Sequence, residues 1–388
     1  MALPLLARLP RGRSLLAWIA ATIMVLAIGG FLLASSGLYN IAASVPHIPV
    51  TRWFLHYAMQ RSVSTQSLIE QYLAGQPAWR RALEVEGADR LGAAHFQGGC
   101  AFCHGAPGEP PVPVTQGMRP APPALSEALP GWDDEELFWI VRHGFKYTGM
   151  PAWPAVERQD EVWSLVAFLR RLPGLDAEGY RTLAYGNSPP ASEPAAEILE
   201  EGVPPGLASC ARCHDDGLAP AVSRLVPRLA GLSRDYLATA LTHYAEGRRP
   251  SGIMEPVAVA LDPGEIAALA DHYAGLPRAP AADAVPADPE SLALGERIAT
   301  RGLPEALVPA CLACHGETRL AIFPSLDGQP APYLAGQLRL WREGVRGETP
   351  QDRLMAPIAK RLTEAEVEAV ATYFETRAGG APAEGQRP

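Results

Sequence analysis

Cys100-Ala-Phe-Cys103-His104, Cys210-Ala-Arg-Cys213-His214 and Cys311-Leu-Ala-Cys314-His315 decide how the rest of this chain is read. Each stretch sets two thiols three positions apart with a histidine directly after them, and together they use all six cysteines. Two thiols at that spacing can each add to one vinyl group of a haem, and the adjacent histidine then lies beneath the iron as proximal ligand. The pattern implies three covalent haems, held by Cys100, Cys103, Cys210, Cys213, Cys311 and Cys314, with His104, His214 and His315 on the metal. Zinc would want four ligands, and each module supplies three. A thioredoxin-like pair needs a βαβ setting, whereas these motifs lie in Ala- and Gly-rich helical sequence. With every cysteine committed, no structural disulfide is left over.

Downstream of each motif stands one methionine: Met150 in Thr148-Gly-Met-Pro-Ala-Trp153, Met254 in Gly252-Ile-Met-Glu-Pro256, and Met355 in Leu354-Met-Ala-Pro357. The histidine-to-methionine separations are 46, 40 and 40. A thioether in the sixth position favours ferrous iron, and a six-coordinate haem mostly passes electrons rather than activating small molecules. The nearby prolines predict extended loops at all three methionines, because proline opposes helix there. His95, His143, His243 and His272 remain formal alternatives in modules 1 and 2, while module 3 has no histidine besides His315. Met118 lies only 14 positions after His104 and reads as packing. A proximal histidine needs its other ring nitrogen anchored, and Pro123, Pro227 and Pro324 are placed to present a carbonyl to it.

The 388 residues, 48% apolar, accommodate three modules of about 100 residues each. A formal charge of -9 makes nucleic acid a poor partner. Residues 15 to 36 contain no charge, and 22 residues suffice to cross about 30 Å of hydrocarbon as a helix. Arg8, Arg11 and Arg13 precede this run and the next charge is Arg52, which places the N-terminus in the cytoplasm and the remainder outside. The run exceeds a usual signal-peptide core, which favours an uncleaved anchor over cleavage near Ala34-Ser35-Ser36. Trp53, Phe54, Tyr57 and Met59 follow, on a helix that either lies along headgroups or a partner subunit, or packs on module 1.

The expected organisation is a stub and anchor over 1–38, an interfacial segment over 39–83, haem modules over 84–185, 194–280 and 286–378, and a tail over 379–388. Within module 1, helices are predicted at Ala88 to Cys100 and, as the last, Asp160 to Leu172. Asn187 to Pro194 and Pro277 to Pro289 read as linkers. Modules 2 and 3 are an internal repeat. Cys210 and Cys311 are 101 apart, as are Met254 and Met355, while Pro227-Arg-Leu-Ala-Gly231 matches Pro324-Ser-Leu-Asp-Gly328 and Tyr236-Leu237 matches Tyr333-Leu334 at a spacing of 97. Each closes with a helix opened by Asp262-Pro-Gly-Glu265 or Thr363-Glu-Ala-Glu366, the latter in capping-box form.

On these residues each module resembles a class I cytochrome c domain. Modules 2 and 3 are similar to the tandem domains of cytochrome c4 and the c553 proteins, through Cys-x-x-Cys-His, Pro-x-Leu-x-Gly, Tyr-Leu and the late methionine. Module 1 resembles the single-haem domains of membrane-attached electron-transfer subunits, through Gly92-Ala-Ala-His-Phe96 and Gly149-Met150-Pro151. The resemblance implies an all-α fold of three consecutive class I domains behind a transmembrane helix, His/Met ligation by His104 and Met150, His214 and Met254, His315 and Met355, and one-electron transfer in the periplasm of a bacterial inner membrane. It further implies a dehydrogenase or quinol-oxidising complex on one side and a terminal oxidase or soluble cytochrome on the other, within a respiratory chain, and no catalysis by the chain itself. The rival is a haem enzyme subunit, peroxidase-like or attached to a dehydrogenase, in which one methionine dissociates. One departure stands out: Asp215-Asp216 follow His214 where the other motifs have Gly105 and Gly316, which the sequence suggests alters the exposed edge or potential of haem 2.

Overall fold

The computed structural model describes residues 12–42, 44–74, 78–186, 210–215, 220–278, 287–316 and 320–377. Among them every regular element is helical, and the only β pairing is two isolated bridges. The proposed tail and most of both linkers lie outside the described residues. The chain divides into two units, Met1–Leu55 and His56–Pro388.

The first unit holds α1 (Gly12–Ser35). Its stretch Leu15–Ser35, 21 residues of mean hydropathy 2.4 with none buried, is long and apolar enough to cross a membrane. Helix α2 (Pro49–Ala74) begins in this unit and continues into the second. Its early aromatic residues Trp53, Phe54 and Tyr57 are exposed. The later half packs on module 1: Val63 and Ser67 are buried, Ser64 Oγ donates to Glu136 at 2.5 Å, and Glu70 accepts from Arg142 and pairs with His143. The packed reading of this helix therefore holds for its second half.

Module 1 is built on the crossing of α3 (Ala88–Gly99) with a later helix. Between them comes α4 (Asp134–His143), opened by a reciprocal capping box of Asp133 and Glu136, so the acidic run there is a helix start. Then α5 (Gln159–Arg171) packs across α3 at Gly92, where a Cβ would lie 2.3 Å from the Ser164 carbonyl oxygen. Helix α5 is not the last of the module. A further helix, α6 (Ala177–Tyr185), follows a Pro-Gly turn. Asp176 caps it, and fully buried Tyr180 sets its ring 6.2 Å from Phe96 and 6.0 Å from Phe168. Only two of its nine residues, Tyr180 and Ala184, are buried, too few for a visible apolar period.

Modules 2 and 3 run through the same three helices in order. In module 2 these are α7 (Arg234–Ala245), α8 (Met254–Val259) and α9 (Pro263–Gly275). In module 3 they are α11 (Ala331–Glu343), α12 (Pro350–Ala359) and α13 (Glu364–Thr376), preceded by α10 (Pro289–Arg301); the corresponding opening stretch of module 2 lies outside the described residues. Both closing helices carry complete capping boxes, Asp262 with Glu265 and Thr363 with Glu366.

The loop expectation holds for Met150 but not for the other two methionines. Met254 opens α8 and Met355 lies inside α12. Pro256 is the third residue of α8, where a helix has no intrahelical N–H bond to lose. Helix α12 is started by its own Thr349–Asp352 capping box and accommodates Pro357 near its end. The largest core contains Phe96, Phe138, Trp153, Trp163, Phe168 and Tyr180 of the first module together with Trp79 from the segment before it and Leu340 of α11. Ile253 and Leu225 of module 2 pack on its margin.

Candidate haem centres

Each motif forms one helical turn. The histidine N–H donates to the first cysteine carbonyl at 3.0 Å in module 1, 2.9 Å in module 2 and 2.9 Å in module 3, so both thiols and the imidazole leave the backbone within a single turn. The imidazoles are then fixed from behind. His104 Nδ1 donates to the Pro123 carbonyl at 3.1 Å, His214 Nδ1 to Pro227 at 3.0 Å, and His315 Nδ1 to Pro324 at 2.8 Å. A carbonyl can only accept, so Nδ1 carries the proton and Nε2 presents its lone pair. Burial pushes the pKa of His104 and of His214 down, outweighing the opposing proline bond and, for His214, the Asp215 charge. A neutral imidazole with Nε2 free is the form that binds a metal.

The thiols are not tuned as nucleophiles. Burial, aided by the neighbouring cysteine, pushes Cys100 up to about 12, and burial pushes Cys311 up to about 11 and raises Cys210 and Cys213. A reactive redox pair has the opposite shift. Cys103 and Cys314 complete the pairs, and no disulfide joins any of the six.

Met150, Met254 and Met355 are all half-buried. Met118 packs its methyl group against Gly149. Of the alternative histidines, His143 pairs with Glu70, His95 lies against the Trp153 ring at 4.7 Å, and His272 is edge-on to Tyr273 at 5.2 Å. Burial first and the Arg212 charge second bring His95 down to about 4. His243 lies on α7, and its carbonyl accepts from the Arg249 N–H.

Two features were not legible beforehand. Asp215 is turned inward, 2% exposed, and accepts from Leu229 N–H at 2.6 Å and Ala230 N–H at 3.3 Å. It thus clamps the loop whose Pro227 carbonyl holds His214; Asp216 lies outside the described residues. The second feature is a buried cluster between modules 2 and 3. Arg249 donates to Tyr333 OH at 3.3 Å and to Gln337 Oε1 at 3.2 Å, and Arg346 donates to the same Gln337 oxygen at 2.6 Å. Tyr236 is hydrogen-bonded to both Arg249 and Tyr333. Arg249 sits 4.6 Å from the Tyr244 ring and Arg346 sits 4.1 Å from the Trp341 ring. These pairs recur at the 97-residue spacing of Tyr236 and Tyr333, the signal that could have found them.

The chain's residues fit haem. Beyond thiols and neutral imidazoles, Arg346 Nε and Arg212 Nε are buried without an acceptor, and the one carboxylate paired with Arg346, Asp352 at 3.1 Å, does not reach that Nε. Burial and the Arg249 charge bring Arg346 down to about 10. Such donors suit a group that brings its own carboxylates, as haem does through its propionates.

Residues 87–169 match the family model described as cytochrome c oxidase, cbb3-type, subunit III. The thiosulfate dehydrogenase electron acceptor of Stutzerimonas stutzeri (strain A1501) is 38% identical over 176 residues, covering 45% of this chain and 81% of that protein. Cytochrome c4 of Thiocapsa roseopersicina is 36% identical over 174 residues, covering 43% and 85%. This chain is a class I c-type cytochrome with c4-like domains. Among solved structures, the thiosulfate dehydrogenase of Marichromatium purpuratum shares 40% identity with the cytochrome over 45% of its chain and 37% of the other, at a TM-score of 0.40. Haem iron supplies the one-electron couple, and the cytochrome supplies the attachment turns, the anchored imidazoles and the buried surroundings.

Proposed function

We propose that this cytochrome is a membrane-anchored three-haem electron relay on the periplasmic face of a bacterial inner membrane. His104 and Met150, His214 and Met254, and His315 and Met355 are the axial pairs, and the six cysteines are the attachment points. The reading rests on one observation: in all three modules the motif histidine donates Nδ1–H to a proline carbonyl, which presents Nε2 as a ligand. A methionine in every module leaves no iron position for a substrate, which favours relay over catalysis. The apolar stretch Leu15–Ser35, with arginines before it, supports the anchor and its orientation.

Electrons enter one at a time from a periplasmic dehydrogenase or a quinol-oxidising complex and leave to a terminal oxidase or soluble cytochrome. The electron-acceptor relative makes thiosulfate dehydrogenase the first donor to try. The test combines haem stoichiometry, carbon monoxide binding by the reduced protein, and rapid mixing with reduced thiosulfate dehydrogenase. Three haems per chain, little carbon monoxide uptake and fast haem reduction are expected. Stoichiometric carbon monoxide binding at one haem would replace the relay with an enzyme.

A further inference from the structure

Glu161 is a buried carboxylate, 6% exposed, on α5 of module 1, and its acceptor positions face two different modules. Its Oε1 accepts from Ser251 Oγ at 2.5 Å and lies 2.9 Å from the Arg158 guanidinium. Its Oε2 accepts from Gly252 N–H at 2.7 Å and from Trp153 Nε1–H at 3.1 Å. Trp153 ends the Met150-Pro151-Ala152-Trp153 stretch and is pinned by its own N–H to the Arg142 carbonyl at 3.0 Å. On the other side, Ser251 Oγ accepts from Met254 N–H at 2.9 Å. An unbroken set of hydrogen bonds thus runs from the Met150 loop through one carboxylate to the backbone of Met254.

The junction is also closed sterically. A Cβ on Gly252 would fall 2.2 Å from Trp153 Nε1, so only glycine lets the module 2 backbone lie against the indole. Arg158 adds a bond to the Pro250 carbonyl at 2.9 Å and is itself neutralised by Asp160. Among the described residues, the bonds of Glu161 go to modules 1 and 2 and none reaches module 3. The module 3 methionine sits on α12, whose start is fixed by the Thr349–Asp352 box and the Trp341–Asp352 bond, all within the module.

We propose that Glu161 is a positioning residue that ties the methionine segments of haems 1 and 2 to each other, so that the iron–methionine bond of each module depends on the fold of its neighbour. This rests on the reading of Met150 and Met254 as axial ligands. The carboxylate does not touch iron. It sets where the two thioethers lie, and haem 3 is the internal reference.

The test uses the purified full-length holoprotein as wild type, Glu161→Ala and Glu161→Gln, matched for haem content. Two readouts are followed: the methionine-to-iron charge-transfer band of the oxidised form and the three midpoint potentials. In E161A the band is expected to fall to about one third of wild type, with two potentials dropping as thioether ligation is lost and the third unchanged. E161Q, whose amide oxygen still accepts from Gly252 and Trp153, is expected to retain more than two thirds of the band. An E161A protein with the full band and wild-type potentials overturns the proposal, as does E161Q losing as much as E161A. Should E161A fail to take up haem, Ser251→Ala decides: loss of the haem 2 share alone supports the tie, and no loss refutes it. A wild-type band smaller than three haems require would instead remove the ligand reading itself, an outcome separable from any effect of the variants.

Discussion

At residue 215 a single carboxylate replaces the glycine that follows the histidine in the other two motifs, and its placement sets up a measurable difference between haems. Asp215 is buried beside His214, with its oxygens spent on the N–H groups of Leu229 and Ala230. A negative charge there stabilises ferric over ferrous iron. If His214 holds a haem iron as proposed, Asp215→Asn is expected to raise that haem's midpoint potential by roughly 40 mV, the one-electron equivalent of about 1 kcal/mol, read by potentiometric titration. The motif residues and the proline anchors were legible because covalent spacing and the need to fix Nδ1 constrain them locally. Asp215 and Glu161 were not. Their partners lie 14 and about 90 positions away, and no period or motif records which way a carboxylate turns.

At the scale of helices, α3 and α5 approach so closely at Gly92 that a methyl group has no room. Gly92→Ala would set a Cβ against the Ser164 carbonyl and the Phe168 side chain, with an expected loss of about 2 kcal/mol in a thermal or denaturant melt. The docking of α2 is electrostatic as well as apolar. Burial alone would raise the Glu70 carboxyl, but the His143 hydrogen bond and the Arg142 charge outweigh it and hold the pKa below the ordinary value. A depressed folded pKa contributes stability above the unfolded value and loses it as pH falls through the folded one. Amide protection over residues 63–74 is therefore expected to be constant near neutrality and to drop below about pH 4, and Glu70→Gln should flatten that step in hydrogen-exchange measurements. Sequence periodicity found α3 and α5 because their buried faces are long. It missed α6, which has one large buried side chain, and it misjudged Met254 and Met355 because proline is tolerated in a first turn and near a helix end.

For the whole molecule, the order of elements followed from the repeats, but how the modules meet did not. Trp79 Nε1 donates to Glu343 at 2.9 Å across 264 positions, and Arg224 pairs with Glu375 at 2.7 Å across 151. Contacts of that range depend on the assembled surface. If α1 is the anchor, deleting residues 12–35 behind a cleavable export signal should release a protein with all three haems into the soluble fraction, with its midpoint potentials unchanged. Membrane fractionation with haem staining is the check.

The cluster joining modules 2 and 3 has one more consequence. Tyr236 and Tyr333, and Arg249 and Arg346, are the same positions of the repeat meeting each other, which is the signature of a self-complementary contact. The two sides are not identical, since Gln337 corresponds to Ala240 and Trp341 to Tyr244, and Arg249 reaches across to Tyr333 while Arg346 turns to Gln337 of its own module: a substitution on one side of this seam changes the partner of the other.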